Sequence, residues 1–98
     1  EARVRLEESL ALDQALGDRG GAAVVLDHLG LVARSQGDLL RARALLEESL
    51  ALRRTLDDSW GVATALLHLG EALRDQGDPA GARALLAESL RRYREVYE

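Results

Sequence analysis

The chain has 98 residues, 47% apolar and 31% charged, the proportions of one globular unit and not of a disordered or membrane-spanning segment. Its 17 acidic and 13 basic side chains leave a net charge of −4, which offers no cationic footprint for nucleic acid or anionic lipid. Cysteine is absent, which excludes disulfide frameworks and thiolate metal sites, and no apolar run reaches the ~18 residues that a membrane span needs. Every basic residue is Arg, and Lys, Asn, Ile, Phe and Met are missing. That bias is expected of a GC-rich coding sequence, and the lack of an initiator Met is expected of a segment drawn from inside a longer protein. A cytoplasmic location is expected, since nothing resembles a targeting signal.

In chain order, residues 2–16 form the first predicted helix and carry the phrase RLEESLAL (Arg5 to Leu12). Asp18 can cap the second, over 19–36, where Ala22, Val25, Leu26, Leu29, Val32 and Ala33 fall at helical spacing. Gly37 suits the left-handed position past a helix end, and Asp38 can accept from the first free amides of the next helix. That third helix, 39–56, repeats the phrase as LLEESLAL (Leu45 to Leu52), with Leu39, Ala42, Leu45, Leu46, Leu50 and Leu52 on its apolar face. Asp58 caps the fourth, 59–76. After Gly77 and Asp78, Pro79 stands at the first position of the fifth, 79–97, where its missing N–H costs nothing. LLAESL at Leu85 to Leu90 is the third copy of the phrase.

Sliding the chain against itself by 40 positions makes 30 of the 58 aligned pairs identical, including His28-Leu29-Gly30 with His68-Leu69-Gly70 and Gln36-Gly37-Asp38 with Gln76-Gly77-Asp78. Such periodicity marks a tandem array of units that cannot bury their apolar faces alone. The predicted fold is all-α, a right-handed solenoid of five helices in antiparallel pairs. The array is expected to span 1–98, with 1–17 as an orphan second helix and full repeats at 18–57 and 58–98.

The pattern resembles the tetratricopeptide repeat. Leu29-Gly30 and Leu69-Gly70 match its Leu-Gly pair, Gly37 and Gly77 its turn, and Ala2, Ala42 and Ala82 its small packing residue. Leu6, Leu46 and Leu86 take the large apolar place usually held by Phe. Leu26 and Leu66 stand for the early Trp, Ala33 and Leu73 for the Tyr, the closing Pro is absent, and the period of about 40 exceeds the usual 34. The Leu16-Gly17-Asp18 and Leu56-Asp57-Asp58 links are similar to those of long repeats in kinesin light chains, spindle-orientation adaptors and large bacterial signalling ATPases and transcription regulators.

No catalytic constellation is legible, so no enzyme activity, cofactor or metal is expected. Ser9, Ser49 and Ser89 lie beside Glu8, Glu48 and Glu88, but they occupy the family's small-residue position, where a hydroxyl can bond back to the preceding turn. Gly20-Gly21 lacks the Lys and the strand of a phosphate-binding loop. His28 and His68 are expected about a helix-packing distance of 8–10 Å apart, too far to share one ion. Arg3 and Arg43 precede Glu7 and Glu47 by four residues, for weak local pairing. Trp60 reads as packing between repeats.

The resemblance implies that the first helix of each repeat lines a concave groove. Val24, Asp27, His28, Leu31, Arg34 and Ser35 then form one stripe, and Thr64, Leu67, His68, Glu71, Arg74 and Asp75 the next. The partner expected there is a protein or peptide segment, with His28 and His68 on its backbone and Arg34 and Arg74 on its acidic groups. The alternative is that these four are solvated or paired locally with Asp27, Glu71 and Asp75. The ends of the array are expected to be apolar and to support self-association, through Leu85, Leu86, Leu90, Tyr93, Val96 and Tyr97 on the last helix.

Overall fold

A computed structural model describes residues 1–97. It has five helices: α1 (Ala2–Leu16), α2 (Arg19–Ser35), α3 (Leu39–Thr55), α4 (Ser59–Asp75) and α5 (Pro79–Tyr97). Each packs on the next in the chain, and α2 also touches α4, so the described residues form an all-α solenoid of antiparallel pairs. None of these helices is long and apolar enough to cross a membrane.

The punctuation read from the sequence sets the helix ends. Asp18, Asp38, Asp58 and Asp78 each accept, through Oδ1, from the backbone amide three residues on, at 2.9, 3.2, 2.9 and 2.9 Å. The preceding positions are left-handed: Gly17, Gly37 and Gly77 at φ 72°, 79° and 84°, and Asp57 at φ 53°. Asp is one of the few side chains that tolerate this region, so the Leu56-Asp57-Asp58 link closes without Gly. Helices α2, α3 and α4 stop one residue short of the predicted bounds, because Gln36, Leu56 and Gln76 are their C-caps.

Two close approaches fix the pairs. A Cβ at Gly30 would lie 2.7 Å from Cγ of Leu46, and one at Gly70 would lie 2.9 Å from Cγ of Leu86. The Leu-Gly pair is therefore a socket for the large apolar residue of the second helix. Ser49 Oγ donates to the Ala23 carbonyl at 2.8 Å and Ser89 Oγ to that of Ala63 at 2.7 Å. These hydroxyls cross to the partner helix instead of bonding back to their own turn, because the small residues bring the helices close enough to offer a facing carbonyl. Leu46 is fully buried, whereas Leu86 is half-buried. The difference follows from α4, which covers the far side of α3; no described helix covers α5 in the same way.

Candidate functional site

Helices α2 and α4, the first helices of the two pairs, are joined by two sets of charged contacts. On the outer set, Arg34 of α2 reaches across to α4, bonding Asp75 through Nε and Glu71 through Nη1 at 3.3 Å. The hydrogen bond from Arg34 holds the Asp75 carboxyl below its ordinary range, and the same bond raises the guanidinium. One guanidinium thus braces two carboxylates one turn apart.

The inner set lies between α2, α3 and α4. Asp27 is 3% exposed, and its Oδ2 lies 3.2 Å from Nη2 of Arg53, which is 6% exposed. Arg53 also donates through Nη1 to the Gly61 carbonyl of α4 at 2.8 Å. His68 presents Nδ1 to the same Asp27 oxygen at 3.4 Å, and neither Asp27 Oδ1 nor His68 Nδ1 has a hydrogen-bond partner among the described residues. This buried cluster ties three helices at the junction of the two pairs. Asp27 and Arg53 break the repeat: 40 positions on, Asp27 aligns with Leu67, and Arg53 aligns with Asp13 behind it and Tyr93 ahead. A charge where the sister repeat carries an apolar or opposite residue was the available signal.

The two predicted stripes divide accordingly. Val24, His28 and Ser35 are exposed on α2, with Leu31 and Arg34 half-buried, whereas Asp27 turns into the interior. On α4, Thr64, Leu67, His68 and Glu71 are half-buried and Arg74 and Asp75 exposed. Arg34 is occupied by Glu71 and Asp75, so local pairing accounts for it, whereas the half-buried His68 only approaches the Asp27 carboxylate, at 3.4 Å and without a hydrogen bond. Arg74 makes no ion pair among the described residues, and His28 remains open to solvent.

The residues expected to be sticky on α5 also divide. Leu85 packs against the Leu46, Leu69 and Ala72 cluster, and Leu86 fills the Gly70 socket. Tyr93 sits edge-to-face on Trp60, with ring centroids 6.3 Å apart at 73°, and its hydroxyl lies 3.2 Å from that of Thr64. The Tyr97 hydroxyl accepts from Nε1 of Trp60 at 3.1 Å. Trp60 therefore packs within its own helix pair, not between repeats. Leu90 and Val96 are left exposed, as is most of Tyr97. The weak pairs expected on the second helices are present, Arg3 with Glu7 at 3.3 Å and Arg43 with Glu47 at 2.7 Å.

Two tetratricopeptide repeat family models match the chain, one over residues 1–55 and the other over 62–98. No curated protein matches it.

Proposed function

Because the chain belongs to the tetratricopeptide repeat family, whose repeats generally mediate protein–protein interaction, we propose that it is a non-catalytic scaffold whose α2 and α4 face receives a partner's peptide segment. The observation that carries this reading is a braced face: Arg34, Glu71 and Asp75 fix the two helices while His28, Leu31, Leu67 and Arg74 stay accessible. A surface held in place before binding spends less ordering free energy on association. Imidazole at His28 can serve either a backbone N–H or a carbonyl, and Leu31 and Leu67 supply apolar contact. Arg74 is the repeat counterpart of Arg34, and Arg34 demonstrates the ligand such a guanidinium takes here, a carboxylate pair on a facing helix. A partner with acidic groups near one end of its docking segment fits this arrangement. In this reading the repeats run over 18–57 and 58–98, residues 1–17 are the second helix of a preceding unit, and the array serves a larger bacterial cytoplasmic regulator.

The test is peptide selection from a displayed library, followed by affinity measurement on the purified chain. Peptides selected on the wild type should lose at least tenfold in affinity on His68→Ala with Arg74→Ala, with helical circular dichroism unchanged. Selected peptides that bind the double variant as well as the wild type contradict the groove.

A second reading, self-association through the terminal helices, is favoured by the outer face of α5. A cavity of about 450 Å³ opens there between Arg74, Pro79, Ala82, Leu86 and Leu90. Of its counterparts on α3, Ala42 and Leu46 are both buried, Leu46 against Leu69 and Ala72 of α4. A second copy covering this face would bury Leu90 and Leu86 together.

A further inference from the structure

The two repeats leave two related cavities of different size. The larger, about 450 Å³, lies where the last turns of α1 meet the start of α2 and the C-terminal half of α3. The smaller, about 180 Å³, is lined by Arg54, Asp57, Asp58, Ser59, Val62 and Arg92. Each of those six stands 40 residues after a residue lining the larger cavity, so the two are one site written twice. What differs is the filling. Gln14 and Leu52 stand in the first copy where Arg54 and Arg92 stand in the second. In the second, Arg54 Nη2 donates to both oxygens of Glu88, at 3.3 and 3.2 Å, and Arg92 Nε lies 3.7 Å from the same carboxylate. The first copy keeps the carboxylate, as Glu48, and lacks both arginines. Glu48 is exposed on the cavity wall and forms no ion pair among the described residues.

We propose that the larger cavity receives an arginine side chain from a protein partner, with Glu48 holding the guanidinium as Glu88 holds that of Arg54. The walls suit such a side chain at both ends. Ala22, Ala51 and Leu52 offer apolar surface to its methylene stem. Three carboxylates, Asp13, Asp18 and Glu48, face it against the single cation of Arg19. Asp18 already caps α2 through Oδ1, and Glu48 is the carboxylate that stands where Glu88 holds Arg54, so Glu48 is the oxygen pair offered to a planar fork of donors. The site is separate from the α2 and α4 face and stands or falls independently of it.

The test is ¹⁵N-amide NMR of the chain titrated with acetyl-Gly-Arg-Gly-amide and with the same peptide carrying citrulline, a neutral isostere. The arginine peptide should shift Ala22, Glu48, Ala51 and Leu52 saturably, and the citrulline peptide should bind at least tenfold more weakly. Glu48→Gln, at an exposed position that leaves the fold intact, should weaken the arginine peptide by a similar factor. Leu52→Arg, which gives the cavity its own guanidinium as Arg92 does in the second copy, should abolish the shifts. His68→Ala with Arg74→Ala should retain them, which separates this site from the groove. Absence of saturable shifts in the wild type, equal binding of the citrulline peptide, or an unchanged response in Leu52→Arg overturns the proposal.

Discussion

Removing the Asp27 carboxylate should cost more stability than any exposed substitution in the chain. At 3.2 Å from Arg53, its attraction is about 5 kcal/mol at an effective dielectric near 20, before desolvation is counted. Asp27→Ala leaves the buried Arg53 with only the Gly61 carbonyl at 2.8 Å, and stranding one partner of a buried pair costs about 3–5 kcal/mol. The gain in helix propensity from Asp to Ala returns about 0.5 kcal/mol, so a net loss of about 3 kcal/mol is expected. For a chain of this length that corresponds to a fall in melting temperature of about 12–24 °C. Urea unfolding followed by circular dichroism at pH 7 measures it. The decisive comparison is Asp27→Leu with Arg53→Met, which replaces both charges by apolar groups and should recover stability to within about 1 kcal/mol of wild type or better. A loss below about 1 kcal/mol in the single variant, or a double variant as unstable as the single one, would refute the reasoning.

Three further outcomes are expected. The Asp75 carboxyl is depressed by Arg34, so the stability it contributes is complete above the ordinary carboxylate pKa and disappears as pH falls through the lower folded value. Acid unfolding monitored from pH 5 to pH 2 should therefore destabilise the wild type more than Asp75→Asn, and parallel curves would contradict this. Gly30→Ala places a Cβ 2.7 Å from Leu46, which is fully buried and cannot step aside, so overpacking of about 1–3 kcal/mol should outweigh the ~1 kcal/mol that Ala gains over Gly in a helix. In a Leu46→Ala background the same change should be neutral or stabilising by thermal unfolding. On the self-association reading, sedimentation velocity should show a concentration-dependent dimer that disappears on Leu90→Glu with Tyr97→Glu; a monomer at every concentration counts against that reading.

Most of the architecture is legible because the turns are written in strong local chemistry. A residue able to take positive φ followed by Asp gives the same instruction at each link, and all four helices that follow such a pair start where it directs. The Leu-Gly socket is legible for a similar reason, since only Gly admits Leu46 and Leu86 at those distances. What the sequence conceals is the choice between equivalent local options. Ser49 and Ser89 have two carbonyls within reach, one on their own helix and one across the pair, and the interhelical distance selects the second. Trp60 has two neighbours to choose from, and the tyrosines of α5 win it by offering both a ring and a hydroxyl.

The candidate site was legible as two stripes and not as a network. Helical periodicity puts Asp27 and His28 side by side, but only burial distinguishes them, and Arg53 draws Asp27 inward. Comparison of the repeats for what they share directs attention to His28 and His68. Comparison for what they do not share leads to Asp27, Arg53, Gln14 and Leu52, where one copy has placed a charge or left one out. In a tandem protein the mismatches mark where one copy departs from the packing that both share.

The measurement that tests the scaffold account most directly is NMR mapping of a library-selected peptide on the isotope-labelled chain. The account predicts amide shifts concentrated at His28, Leu31, Leu67, His68 and Arg74 on α2 and α4, with affinity falling at least tenfold when His68 and Arg74 are changed to Ala. Shifts confined to α1, α3 and α5, with the α2 and α4 amides unmoved at saturation, would contradict it.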